Sequence, residues 1–110
     1  MEVCILIGPK IFSSAAVFAD AIKAYKLCTL IGEPLETPPN DYGDICKLLL
    51  PNTKFKFDTS VKFFCRLNDD SNDNLPIQPD IFVKQKTKDT EKGKDTILEY
   101  AKKWINKQKK

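Results

Sequence analysis

The sequence predicts an α/β domain, and three observations predict it. An apolar run, a helix-periodic stretch and a second apolar run follow one another between residues 3 and 31. Charged and apolar residues alternate around KFKF and VKFF further on. An amphipathic pattern then closes the chain. A strand, helix, strand succession reads as a crossover joining parallel strands, period-two alternation reads as half-exposed antiparallel strands, and the ending reads as a terminal helix.

The first strand is expected over Val3 to Gly8, ended by Gly8-Pro9, and its unbroken apolar character predicts a central strand covered on both faces. It lies next to Met1, which leads to the expectation that upstream sequence belongs to the same domain. A helix follows from about Ser14 to Lys26, with Ala15, Phe18, Ala19, Ile22 and Tyr25 at i, i+3, i+4 spacing and Asp20, Lys23 and Lys26 as its exposed stripe. Cys28 to Ile31 is the second strand, ended by Gly32. Residues 33 to 44, EPLETPPNDYGD, are dense in proline and turn formers and are expected as a surface loop.

Ile45 to Leu50 reads as a strand before a turn at Pro51-Asn52. Lys54 to Phe57 and Val61 to Cys65 read as two strands joined through Asp58-Thr59-Ser60. The polar run Asn68 to Asn74 reads as a loop and LPIQPDIFV as an extended piece. After a charged linker, Thr96 to Glu99 fits the capping-box pattern with Asp95 as a competing cap, and Ile97, Ala101, Trp104 and Ile105 line one face of the last helix.

A chain of 110 residues suits one domain, burying roughly two thirds of the surface its unfolded form exposes. Residues 1 to 110 are therefore taken together, with 84 to 110 as a lysine-rich linker and terminal helix. That last segment holds ten lysines against Asp89, Glu91, Asp95 and Glu99, a net of +6 within a chain whose formal charge is +3. Acids alternate with these lysines and no arginine or aromatic array accompanies them, so the segment reads as a solvated surface and no nucleic-acid partner is expected. No run is apolar enough for a membrane segment. Cys4, Cys28, Cys46 and Cys65 lie far apart without a CxxC pair, which argues against metal ligation and for buried free thiols; no metal or organic cofactor is expected. The opening MEVCILIG lacks the features of a signal peptide, and the compartment stays open.

Ser13 and Ser14 stand where strand gives way to helix. Their residue type fits a helix N-cap. The same position offers chemistry, because the unpaired N–H groups and partial positive charge of a helix start can stabilise an oxyanion forming beside a serine.

The stretch GPKIFSSAAVFADAIKAYKLCTLIGEP resembles the nucleophile segment of the tail-specific, or C-terminal processing, serine proteases, a family that includes retinol-binding-protein-like and tricorn-like members. PNDYGD, LPNTKFKFDTSVKFF, LPIQPDI and DTILEYAKKWI follow in family order. The resemblance implies the C-terminal half of a crotonase-like catalytic domain, a partial domain that hydrolyses polypeptides through an acyl-enzyme. It puts the nucleophile at Ser13, with the backbone N–H of Ser14 in the oxyanion hole. It also implies that the missing N-terminal half, or a second chain, is a partner.

The chain departs from the family in its general base. The lysine that one branch carries after the GEP word is replaced by Leu35-Glu36-Thr37-Pro38, and the histidine of the other branch has no counterpart, since the chain contains none. The family's glycine-rich segment, which gives the second oxyanion N–H, is absent as well. Asp44 stands where relatives often carry glutamate, but it reads first as a solvated loop charge, since surface acids are the norm. Lys10 is near Ser13 in sequence, but a solvated lysine stays protonated at neutral pH. The isolated chain is expected to cleave little or nothing. The alternative expectation is a noncatalytic module that binds a peptide or apolar ligand.

Overall fold

The computed structural model describes residues 2–67 and 75–109; the loop expected at Asn68 to Asn74 lies outside the described residues. Strand β1 (Cys4–Ile7), helix α1 (Ser14–Ala24) and strand β2 (Thr29–Gly32) form the crossover that the apolar runs predict. Strands β3 (Asp41–Leu49) and β4 (Lys56–Phe64) form a hairpin, and β5 (Ile81–Phe82), α2 (Thr87–Glu91) and α3 (Thr96–Gln108) complete the chain. The protein is mixed α/β: a parallel sheet in the order β1-β2-β5, an antiparallel hairpin and a C-terminal helix.

Strand β2 is central and β1 is an edge strand, paired among the described residues only with β2 through Cys4↔Thr29 to Ile7↔Gly32. This corrects the expectation that the first strand is central. An apolar run records covered faces, not paired edges, and β1 does have covered faces. Alternation along the strands turns Ile5, Ile7 and Leu30 toward α1, where they join Ala16, Ala19 and Ile22 in the core with Leu35 and Ile77. Leu6 and Ile31 share the opposite face, and α3 packs against β1 and β2 with Ala101 buried.

Helix α1 buries a narrower face than its sequence predicts. Ala16, Ala19, Asp20 and Ile22 are buried, while Phe18 and Tyr25 are exposed. Asp20, expected in the solvent stripe, accepts a hydrogen bond from the Leu67 amide at 2.8 Å and lies 3.8 Å from Arg66 Nε. The helix stops at a pair of reverse-turn bonds, Lys26 N–H to Lys23 O and Leu27 N–H to Ile22 O, with Lys26 at φ 51° in the place usually given to glycine.

The expected strands Lys54 to Phe57 and Val61 to Cys65 are one continuous strand, β4. Its partner is β3, in the register Asp41↔Phe64 to Leu49↔Lys56, so Asp58-Thr59-Ser60 is mid-strand and the chain reverses at residues 50–55. β3 also begins at Asp41, inside the segment expected as loop. In the last helix Asp95, not Thr96, is the N-cap, accepting from the Leu98 amide at 2.9 Å. Thr96 instead donates to Asp89 at 2.8 Å, and Glu99 pairs with Lys102. The charged linker contains the short helix α2, closed by Gly93 at φ 68°.

Candidate functional site

Gly8-Pro9 ends β1, and a turn closed by the Ile11 amide on the Gly8 carbonyl brings the chain back toward the sheet. Ile11 packs against the core, and its carbonyl accepts from Thr37 Oγ1 at 3.1 Å. These contacts fix the chain two residues before Ser13. On its other side Ala16 and Ala19 anchor α1.

Between the two anchors Ser13 has φ 56° and ψ −134°, a conformation that L-residues rarely adopt. It occupies the N-cap position and its carbonyl receives the Ala16 and Val17 amides at 2.9 and 3.1 Å. Its side chain makes no capping bond. The hydroxyl is exposed and unengaged among the described residues, in contrast to the capping role that serine takes at most helix starts.

The amides of Ser14 and Ala15 have no acceptor among the described residues, and no acid occupies the first turn of α1 to neutralise the helix start. An oxyanion beside Ser13 Oγ would therefore meet open N–H donors and the positive end of the helix dipole. Both serines are exposed.

Ser13 and Ser14 lie on the wall of a cleft of about 690 Å³. Phe12 and Val17 form its apolar side by α1, Thr37, Pro38 and Pro39 its rim, and Tyr42, Gly43 and Phe64 the side given by the hairpin. Gly43 lets Phe64 lie close, because a Cβ there would stand 2.9 Å from the Phe64 ring. Tyr42 packs against Phe63 with the rings tilted by 51° and their centroids 4.8 Å apart. These lining residues escaped sequence reasoning, although the prolines of EPLETPPNDYGD do signal the extended backbone that forms the rim.

Asp44 also borders the cleft, but its carboxylate is ion-paired with Lys62 across the hairpin. Asp41 is spent on the neighbouring Tyr42 amide at 2.7 Å. Lys10 is exposed. None of the three is held against Ser13 by a hydrogen bond. The Gly32-Glu33-Pro34 word supports the architecture: the Glu33 amide donates to Ile7 O at 3.1 Å, its carboxylate accepts from the Gln85 amide at 3.2 Å, and buried Leu35 donates to Ile77 O.

Asp80 carries a structural network that sequence reasoning missed. Its carboxylate accepts from the Leu30 amide at 2.8 Å and from Lys23 Nζ at 2.7 Å, and its own amide donates to Leu30 O. Partial burial works against the ionised form, but the Lys23 and Leu30 hydrogen bonds outweigh it and hold the carboxyl below its ordinary value. Burial, with Cys28 as a neighbour, pushes the Cys4 thiol up and so favours its protonated form. The four cysteines are free, three half-buried and Cys65 exposed, so the full burial expected of them is not found.

Among the described residues no group of three or more His, Cys, Asp or Glu side chains could hold a metal ion, and no helix is long and apolar enough to cross a membrane. Comparison of the chain with known protein families, with curated proteins and with solved structures finds no match.

Proposed function

We propose that this chain carries the nucleophile half of a serine-peptidase site, of the tail-specific protease kind on a crotonase-like scaffold, with Ser13 as the nucleophile. The observation that supports this most is the backbone of Ser13. A strained serine at a helix mouth, its hydroxyl left out of capping and two open amides beside it, serves an incoming carbonyl better than it serves the helix.

In this reading Ser13 Oγ attacks the scissile carbonyl carbon while a base takes its proton. The carbonyl oxygen becomes an oxyanion facing the Ser14 N–H. Collapse expels the amine, which leaves with that proton, and water releases the acyl group by the same steps in reverse order. The apolar walls from Phe12, Val17, Tyr42 and Phe64 suit a hydrophobic side chain of a polypeptide substrate. The base comes from outside these residues, since the chain has no histidine and, among the described residues, no lysine is bonded to Ser13. Without it the chain is inactive.

Chemical rescue tests this reading. Imidazole at high concentration supplies the base, and a fluorophosphonate supplies the electrophile. Adduct formation that maps to Ser13, rises with imidazole and disappears in Ser13→Ala is the expected result. Labelling indifferent to imidazole, or spread over other hydroxyls, would falsify it.

The apolar lining of the cleft also favours a second reading, a noncatalytic module that holds an apolar peptide segment beside Ser13. In that case apolar peptides bind with equal affinity to the wild type and to Ser13→Ala, and no adduct forms.

A further inference from the structure

The hairpin stands apart from the body of the domain. Each strand runs nine residues, every residue of β4 is exposed, and among the described residues no helix or strand outside the hairpin packs extensively on either strand. The radius of gyration is 18.4 Å, against about 13 Å for a compact chain of this length. An isolated two-stranded ribbon is at best marginally stable in water, whereas more strands sharing an apolar face are stable. Its odd-numbered β4 face carries Phe57, Val61 and Phe63, between 44% and 58% exposed, with Tyr42 and Leu48 opposite on β3.

The two outer edges differ. β3 is interrupted by Asp44 at φ 58°, and the ladder skips Asp44 and the Val61 opposite it between Gly43↔Lys62 and Ile45↔Ser60. β4 has no positive-φ residue from Lys56 to Phe64, and it contains no proline. It is a long, regular edge with open N–H and C=O groups, the kind that recruits another strand.

The sequence of that edge is complementary to itself. We propose that two copies of this chain pair antiparallel through β4, about a twofold axis at Ser60. In this register Asp58 faces Lys62 of the partner subunit and Lys62 faces Asp58 of the partner subunit. Phe57 faces Phe63 of the partner subunit on the apolar side, and Thr59 faces Val61 of the partner subunit. Sliding by one residue in sum sets the apolar face of one copy beside the polar face of the other. Among the even registers, the neighbouring one toward the N-terminus sets Lys56 against Lys62 of the partner subunit, and the one toward the C-terminus sets Asp58 against Phe64 of the partner subunit. The Ser60-centred register joins opposite charges, pairs aromatic with aromatic and engages all nine residues of β4, with Lys56 facing Phe64 of the partner subunit at its ends; a Phe57-centred register, which sets Lys56 against Asp58 of the partner subunit, engages only three. The product is a four-stranded sheet with one continuous apolar face. It does not depend on the role of Ser13.

Sedimentation velocity tests the pairing by charge reversal. The wild type is expected to dimerise in the micromolar range. Asp58→Lys sets lysine against lysine at both charged contacts, Lys62→Asp sets carboxylate against carboxylate at the same two places, and each is expected to weaken self-association at least roughly tenfold. An equimolar mixture of the two variants forms a mixed pair in which one contact, between the two substituted positions, is reversed in sense and the other is the native pairing of Lys62 with Asp58. Both contacts are then of opposite charge, and the mixture is expected to recover the dimer. A monomeric wild type up to hundred-micromolar concentration, a dimer indifferent to both reversals, or a mixture that stays monomeric overturns the proposal. Lys62→Asp also loses the Asp44 ion pair. If that variant does not fold, Asp58→Lys decides alone, because Asp58 has no ion pair among the described residues: loss of the dimer supports the pairing and an unchanged dimer rejects it.

Discussion

The carbonyl oxygen of Ile7 occupies the space that a Cβ on Gly32 would need. Gly32 closes β2 at φ 138°, where only glycine is at ease, and the same Ile7 oxygen accepts the Glu33 amide. Any side chain at position 32 must push the two strands apart. Gly32→Ala is expected to lower stability by roughly 2–4 kcal/mol in denaturant titration. A loss under about 1 kcal/mol would mean that β1 and β2 do not approach as closely as described.

Ser13 gives a prediction of opposite sign. Its conformation costs the fold something that glycine would not, and its side chain contributes no cap. Ser13→Gly is therefore expected to raise stability by about 1 kcal/mol. Ser13→Ala should stay within about 0.5 kcal/mol of the wild type, whereas the loss of a working cap costs about 1 kcal/mol. A clearly destabilised Ser13→Ala would reveal a capping hydroxyl and remove the argument for a free one.

Asp80 should leave its mark on the pH dependence of stability. Its folded-state pKa is depressed, so its contribution is present above the unfolded carboxyl value of about 3.9 and is lost as pH falls through the lower folded value. Both Lys23 and Asp80 are partly exposed, which limits the effect. Asp80→Asn is expected to cost about 1 kcal/mol at neutral pH. The gap to the wild type should close on acidification, and parallel stability curves down to about pH 2 would contradict the network.

Asp20 ties the foot of the hairpin to α1 through the Leu67 amide and Arg66. Replacing this buried carboxylate by alanine strands the Leu67 N–H, at an expected cost of roughly 2–4 kcal/mol. Amide exchange should accelerate at Leu67 more than in β2. Uniform acceleration across the chain would show that the tie is not local.

The parts of this fold that are legible in the sequence are those set by near neighbours. Apolar runs around a helical period give β1, α1 and β2, and Gly32 marks where β2 ends. The hairpin is legible as antiparallel but not in its pairing, because Asp58-Thr59-Ser60 carries turn-forming residue types that a nine-residue partner strand overrides. Asp20 reads as a solvent-facing charge and Asp80 only as part of an extended piece, since the amides that they capture lie 47 and 50 residues away. Phe18 and Tyr25 fit the helical stripe yet stay exposed, because the contact with the sheet is made by alanines. For the candidate site, the position of Ser13 was legible from the strand-to-helix junction. Its strained backbone was not, because that conformation is imposed by the anchors at Ile11 and Ala16.

Ser13 offers a hydroxyl that is free among the described residues beside open amides, and a peptidyl boronic acid tests this without any need for a base. Boron NMR distinguishes trigonal boron from the tetrahedral adduct that forms on a serine oxygen. A tetrahedral signal with the wild type and Ser14→Ala, absent with Ser13→Ala, is the result expected here. A signal that survives Ser13→Ala, or none with the wild type at saturating inhibitor, would contradict it.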